Sequence, residues 1–265
     1  EGTARGGGVL CPLCGSAIDA DAVRAVAVRG ELLEKLLVIV LHKDGGGKEY
    51  KLVKDEDVEA FSKASHYLKN KIKASTLELS PVPNEPIATP DGRMYEDDGP
   101  FFVHLQPVLY NMKTWGDLFN DRQMLALTTF VSKLRLAHKE MLRKGLKPEY
   151  AKVLTTYLAL ALDRLADKNS NQVLYNVTRE EIEHVFGRVT LVPISWGYAE
   201  VNPFTSVGWP NMMNWILRVV DHCCQASDMP AKVDQGTATK LPYKAKFFDA
   251  VITDPPYYDN VPYSD

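Results

Sequence analysis

The chain has 265 residues, of which 45% are hydrophobic, and a formal net charge of −3 at neutral pH. This length and composition indicate a globular protein of one or two domains, and the chain contains no apolar run of about 18 residues that could span a membrane. Four cysteines are too few for a disulfide framework, so a cytoplasmic protein is expected. The negative charge excludes a globally basic protein, so any nucleic-acid surface must be a local patch.

Near the N-terminus, the segment Cys11–Gly15 reads CPLCG. A CxxCG turn presents two thiolates at the spacing of half a tetrahedral zinc site. Because a structural zinc takes four ligands and no second CxxC follows, Cys11 and Cys14 are predicted to bind zinc in an incomplete site. The adjacent cysteines Cys223 and Cys224 would point in different directions on a helix, so we predict a buried helix surface there rather than a second metal site.

The next segments predict a hairpin, a helix and a connector. Leu36 to Leu41 and Tyr50 to Val53 flank a glycine-rich turn, which is typical of a β-hairpin. Asp55 to Lys73 is predicted to form a helix. Its apolar face consists of Val58, Phe61, Ala64 and Leu68. The proline-rich stretch Ser80 to Pro100 is predicted to be an extended connector at a domain boundary.

From Trp115 onward the sequence is typical of helices with N-terminal caps and C-terminal glycines. The predicted helices run from Asn120 or Asp121 to Lys144, from Pro148 to about Lys168, from the Thr178–Glu181 capping box to Gly187, and from Pro210 to Cys224.

A basic region lies at the junction of the first two of these helices, with Glu140 and Glu149 as its only acidic residues. Its cations are Lys133, Arg135, Lys139, Arg143, Lys144, Lys147 and Lys152. Two interpretations stay open: contact with nucleic-acid phosphates, or a solvated helix face whose last-turn cations offset the helix dipole.

A polar and aromatic loop, Trp196 to Phe204, precedes the last predicted helix and follows a strand-like stretch, Thr190 to Ile194. Its polar and ring-bearing residues include Glu200, Asn202, Pro203 and Phe204. From the sequence this loop is either a packing loop with aromatics or part of an active site.

The C-terminal stretch carries the strongest chemical signal. The apolar run Phe248 to Ile252 is followed by Asp254-Pro255-Pro256-Tyr257. This pattern predicts a buried parallel strand whose carboxyl end opens into a rigid loop. In open α/β sheets, ligands bind at such strand ends.

The residue types of that loop suit an exocyclic amine. The Asp254 carboxylate and the Pro255 carbonyl can accept its two N–H groups, and the Pro255-Pro256 pair fixes the backbone. Tyr257 offers a ring for stacking a base that has been turned out of its helix, and Tyr258 can do the same.

The Asp254–Tyr257 segment resembles the catalytic motif of amino-methylating, S-adenosylmethionine-dependent DNA methyltransferases. The longer stretch Asp254–Asp265 is similar to adenine-specific DNA methylases that also carry a zinc ribbon. The CPLCG motif and three further segments share that resemblance, and the latter are Thr114–Val131, Leu158–Ser170 and Trp196–Phe204.

The resemblance implies S-adenosylmethionine and zinc as cofactors, DNA as partner, no membrane, and a restriction or phage-defence setting with partner proteins. It implies catalytic roles for Asp254, Pro255, Pro256 and Tyr257 and substrate contacts by Tyr258 and Asn260. In related methylases an Asp before Leu-Pro faces the cofactor adenine. Here Thr237 stands at that position, so Thr237 and Ala238 are expected to bind the cofactor.

The family's Phe-x-Gly-x-Gly cofactor loop does not occur in this sequence. We therefore expect an internal fragment of a longer protein, inactive by itself. The expected fold class is α/β, a partial Rossmann-like methyltransferase core with a zinc-ribbon-like β segment and a helical insertion. The expected organisation is 1–79 half zinc ribbon, hairpin and helix; 80–114 connector; 115–230 helical insertion; and 231–265 part of the methyltransferase core.

The expected activity is methylation of an exocyclic amine of DNA, with N6 of adenine favoured over N4 of cytosine through the resemblance alone. One alternative is an RNA or protein-glutamine methyltransferase with the same loop. The other is a non-catalytic zinc-ribbon adaptor that binds nucleic acid.

Overall fold

A computed structural model describes residues 4–5, 8–43, 46–76, 79–87, 106–185, 194–227 and 229–255. Helices account for most of the regular structure, and three small antiparallel sheets accompany them. The mixture of helices and strands agrees with the predicted class at that coarse level. Within the described residues no strand pairs in parallel, and no helix is both long and apolar enough to cross a membrane.

The N-terminal sheet contains β1 (Ala4–Arg5), β2 (Gly8–Leu10) and β3 (Ala17–Ile18), in antiparallel order β1-β2-β3. Helix α1 (Ala20–Val28) follows directly. It begins where it does because the Asp19 carboxylate accepts a hydrogen bond from a first-turn backbone N–H, as N-cap residues do.

The predicted hairpin and the helix after it are confirmed. Strand β4 (Val38–His42) pairs antiparallel with β5 (Lys48–Leu52) around the glycine-rich turn. Helix α2 (Asp55–Lys73) has the predicted bounds. Ala64 and Leu68 of its apolar face are buried.

Helix α3 (Asp121–Arg143), helix α4 (Pro148–Asp167) and helix α5 (Trp209–Cys224) follow the predicted pattern within one or two residues. Helices α2 to α5 pack against one another in chain order. We call residues 106–185 and 194–224 the helical body. Its main core consists of Leu127, Leu134, Ala161, Leu162, Leu165, Val201 and Met212.

Local signals set the ends of these helices. The Asn120 side chain accepts a hydrogen bond from the Gln123 N–H at 2.9 Å, which caps α3. Gly145 has a φ of +84°, the left-handed conformation that ends a helix. Pro148 occupies the first turn of α4, where its missing N–H costs nothing.

The segment after α4, Asn169 to Gln172, is polar and buried. Its side chains replace water as hydrogen-bonding partners of the surrounding backbone. Ser170 Oγ donates to the Leu118 carbonyl, and Asn169 Oδ1 accepts from the Val201 N–H at 3.1 Å. This segment therefore ties the entry to α3 to the loop that precedes α5.

The short helix predicted after Thr178 is wrong. Instead, β6 (Tyr175–Asn176) pairs with β7 (Glu181–Ile182) in a small hairpin. The Asn176 side chain accepts from the Arg179 N–H at 2.9 Å, and Glu180 has a φ of +50°. Residues that cap helices also favour tight turns, and here the turn forms.

Residues 229–255, which we call the C-terminal segment, contain no helix or strand. The predicted buried strand at Phe248–Ile252 is therefore wrong for this structure: Val251 is 68% and Ile252 97% exposed. A strand leaves its N–H and C=O groups unpaired unless a neighbour accepts them, and no described residue pairs with this run.

The predicted burial of Cys223 and Cys224 is also wrong, because both side chains are exposed. Helix α5 contacts the core through its first half, chiefly Trp209 and Met212. The two cysteines lie in its last turn, beyond that contact.

Candidate functional site

Part of the predicted catalytic loop lies within the described residues. Asp254 and Pro255 are exposed at the end of the C-terminal segment. Pro256, Tyr257, Tyr258 and Asn260 lie outside the described residues. The catalytic roles assigned to this loop stay predictions.

The predicted cofactor contacts, Thr237 and Ala238, are exposed. The Thr237 hydroxyl lies 2.9 Å from that of Thr239, and together they close a local turn. Neither residue lines either cleft described below. The described residues around this turn therefore do not enclose S-adenosylmethionine, which needs walls on several sides.

The Cys11–Gly15 segment forms a tight turn between β2 and β3. Gly15 N–H donates to the Cys11 carbonyl at 2.9 Å, and its φ of +73° explains the glycine. Hydrogen bonds from Ser16 and then Cys11 lower the pKa of Cys14 to about 7. A thiolate is the form that binds zinc.

These two thiols fit one half of a tetrahedral zinc site. Among the described residues, no group of three or more His, Cys, Asp or Glu side chains is close enough to hold a metal ion. The incomplete site predicted from the sequence stays a prediction.

A basic groove lies between α3 and α4, with a volume of about 470 Å³. Arg135, His138 and Lys139 line it from α3, and Lys152 lines it from α4. The remaining lining residues are Thr155, Thr156 and Ala159. We call this cleft the α3–α4 groove.

Charge pairing separates the groove from the rest of the predicted basic region. Glu140 pairs with Arg143 at 2.6 Å and lies 3.7 Å from Lys144, so one carboxylate offsets part of the charge of these two cations. By contrast, no carboxylate of the described residues lies within 4.0 Å of Arg135, Lys139 or Lys152; the described ion pairs involve other cations.

Lys133 lies on a different side of α3. Burial lowers the pKa of Lys71 in α2, and the nearby charge of Lys133 lowers it further. The basic region of the sequence thus divides into a groove, a paired helix end and a lysine that faces α2.

The histidine of the groove contacts the opposite wall, which α4 provides. The Thr155 hydroxyl donates to the Ala151 carbonyl at 2.8 Å. It lies 2.9 Å from His138 Nδ1. The donor and acceptor roles in that second contact depend on the tautomer of the His138 ring.

A second cleft, of about 500 Å³, lies beside the N-terminus of α3 and is lined by Glu34, Asn120 and Asp121 among others. Next to it is a polar cluster that we call the α3 clasp: Glu34, Asn120, Arg122, Tyr198 and Glu200. Asn120 Nδ2 donates to Tyr198 Oη at 2.8 Å and to Glu200 Oε1 at 2.6 Å. Arg122 Nε donates to the other Glu200 oxygen at 2.8 Å.

The clasp gives the Trp196–Phe204 loop a structural role. Tyr198 also donates to Glu34 Oε2 at 3.0 Å. Burial raises the pKa of Tyr198, and burial, with the charges of Glu200 and Asp121, raises the pKa of Glu34. Glu200, named from the sequence as a candidate, is thus held by α3, while Phe204 is 83% exposed and stacks on Phe130.

Sequence reasoning missed His138 and the α3 clasp. His138 lies three residues after Arg135, so helical spacing could have placed it on the same helix face. No sequence signal joins Asn120 to Tyr198, because their contact spans 78 positions of the chain.

Compared with known proteins, the chain matches no family model, no curated protein and no solved structure.

Proposed function

We propose that this protein acts in the S-adenosylmethionine-dependent methylation of an exocyclic amine of DNA, with N6 of adenine as the favoured acceptor and a partial Rossmann-like core around the C-terminal segment. The observation that carries the proposal is the sequence Asp254-Pro255-Pro256-Tyr257. S-adenosylmethionine would supply the methyl group. A structural zinc on Cys11 and Cys14, completed by other ligands, and a cytoplasmic location belong to the same proposal.

The role of the loop follows from its acceptors. The Asp254 carboxylate and the Pro255 carbonyl accept the two N–H groups of the amine, and this pair favours positive charge on the nitrogen. Both residues are exposed in the structure. Tyr257 would stack on the base, and Tyr258 and Asn260 would contact the same nucleotide.

The test compares two carboxylate variants of the protein produced from its complete gene. Transfer of a labelled methyl group to DNA is measured for the wild type, for Asp254→Ala and for Asp249→Ala. Asp249 is an exposed carboxylate of the same segment, five positions earlier. We expect Asp254→Ala to lower the rate by about a hundredfold or more, the scale of losing one transition-state contact, and Asp249→Ala to leave it unchanged.

The products identify the acceptor. Nucleoside analysis separates N6-methyladenine from N4-methylcytosine, and parallel reactions with ribosomal RNA and with protein test the other acceptors. Transfer to RNA or protein alone would contradict the DNA assignment. Absence of any transfer would contradict the enzyme assignment.

A second candidate is a nucleic-acid-binding adaptor that carries out no chemistry. The observation that favours it is the exposure of Thr237 and Ala238, which leaves the described C-terminal segment without a cofactor cleft. Calorimetric titration of the same protein with S-adenosylmethionine distinguishes the two, because an adaptor would bind none.

A further inference from the structure

We propose that the α3–α4 groove binds the phosphate backbone of duplex nucleic acid. This inference rests on the groove itself and does not depend on methyl transfer. It assigns a binding surface to residues of the helical body that lie outside the predicted catalytic loop.

Charge is the first argument. The groove presents Arg135, Lys139 and Lys152 with no carboxylate of the described residues in ion-pair distance, although the chain as a whole has a net charge of −3. Three cations on the walls of one cleft of about 470 Å³, with no described carboxylate close enough to pair with them, create a local positive potential.

Spacing is the second argument. Arg135 and Lys139 are four residues apart on one helix face, which places their Cα atoms about 6 Å apart along the axis. Lys152 approaches from the opposite wall of the groove. This arrangement suits a polyanion with charges repeated along its length, as in a nucleic-acid backbone, better than a single small anion.

The uncharged lining residues do not favour contacts with the edges of adenine or cytosine. The Thr155 and Thr156 hydroxyls donate to carbonyls of their own helix, at 2.8 and 2.9 Å. The lining contains no Asn, Gln, Asp or Glu, the side chains that read the edges of adenine and cytosine. Its donors are therefore mainly cations, which position a backbone.

The same lining favours a duplex over a single strand. Binding of single strands depends on aromatic rings on which the unpaired bases stack. Of the residues that line the groove, only His138 has a ring, and that ring is hydrogen-bonded to Thr155 through Nδ1. A duplex keeps its bases stacked inside and offers only phosphates to such a surface.

The test measures binding of the 265-residue chain to a labelled DNA duplex of about 20 base pairs at salt concentrations between about 50 and 200 mM. Each phosphate contact contributes about 0.9 to the slope of log affinity against log salt. We expect Arg135→Ala/Lys139→Ala/Lys152→Ala to lower that slope by about 2.7.

The matched control, Arg143→Ala/Lys144→Ala/Lys147→Ala, removes the same charge just outside the groove. Because these residues do not line the groove and Glu140 offsets part of their charge, we expect a change in slope of less than about 1. Lys152→Gln alone, an exposed substitution, should lower the slope by about 0.9 and serves if the triple variant does not fold.

Three results would overturn the proposal. The first is an equal loss of slope in the control and the groove variant. The second is tighter binding of a single strand of equal charge, and the third is displacement of the duplex by poly-glutamate at equal charge concentration. A wild-type chain that does not bind the duplex at the lowest salt would overturn it as well, whether or not methyl transfer is observed.

Discussion

The helical body and the C-terminal segment each contain apolar runs, but the two runs have different fates. Leu165 in α4 is fully buried, whereas Ile252 is 97% exposed. A helix pairs its own backbone groups and needs only a neighbour for its apolar face. A strand also needs a neighbour for its backbone. Helices that follow one another in the chain can therefore bury each other's apolar faces, whereas a single strand cannot pair its own backbone.

Truncation of one aliphatic side chain in each region tests the comparison most directly. Leu165→Ala should lower the free energy of unfolding by about 2 to 5 kcal/mol, because it leaves a cavity in the main core. Ile252→Ala should change it by less than about 0.5 kcal/mol, the usual range for an exposed site. Chemical denaturation of the 265-residue chain gives both values.

A loss above about 1 kcal/mol for Ile252→Ala would show that the C-terminal segment packs against something in solution. The comparison between the two regions would then fail.

Substitutions in the α3 clasp test whether polar contacts stabilise the helical body as its apolar core does. Asn120→Ala removes the N-cap of α3 and the two donors to Tyr198 and Glu200, so we expect a loss of about 2 to 3 kcal/mol. Asn70→Ala, at an exposed position of α2 whose side chain contacts only His66 among described side chains, should cost less than about 0.5 kcal/mol. Equal thermal stabilities of the two variants would contradict the role assigned to the clasp.

The pKa shift of Glu34 predicts in which direction the stability of the α3 clasp changes with pH. Burial and the nearby carboxylates raise the pKa of Glu34, so the folded state holds its proton more tightly than the unfolded state. Tighter proton binding stabilises the folded state. This contribution of Glu34 is complete below the unfolded pKa of about 4.3 and is lost as pH rises through the folded pKa. Glu34→Gln stays neutral, so its melting temperature relative to wild type should rise by about 1 to 2 °C from pH 4 to pH 7.

Glu31 is the control for this measurement, because hydrogen bonding to Arg29 lowers its pKa. The melting temperature of Glu31→Gln relative to wild type should therefore fall from pH 4 to pH 7. A Glu34→Gln difference that does not change with pH would contradict the assigned environment.

The Cys11–Gly15 turn lies near the opposite end of the chain, and a substitution beside it is expected to have the smallest effect on stability. It forms through its own hydrogen bonds, so Ser16→Ala should leave the melting temperature within about 1 °C. It should raise the pKa of Cys14 from about 7 toward the ordinary value of 9.0. Alkylation rates measured against pH report this value, and an unchanged midpoint would exclude Ser16 as the cause.

Local signals determined much of the fold. Asn120, Gly145 and Pro148 set the ends of α3 and α4, and Asp55 to Lys73 forms a helix over its predicted length. The Cys11–Gly15 turn also follows from its sequence, because its glycine and its hydrogen bonds lie within six residues. In each case the deciding interactions join residues close together in the chain.

Tertiary structure decided the rest. The Thr178–Glu181 residues suit a cap or a turn equally, and pairing of β6 with β7 selects the turn. The groove became visible only when α3 and α4 packed, because Arg135 and Lys139 come from one helix and Lys152 from the other. Burial and the packing of two helices depend on residues distant in the chain, so the sequence determined the helices, and packing decided which side chains share a site.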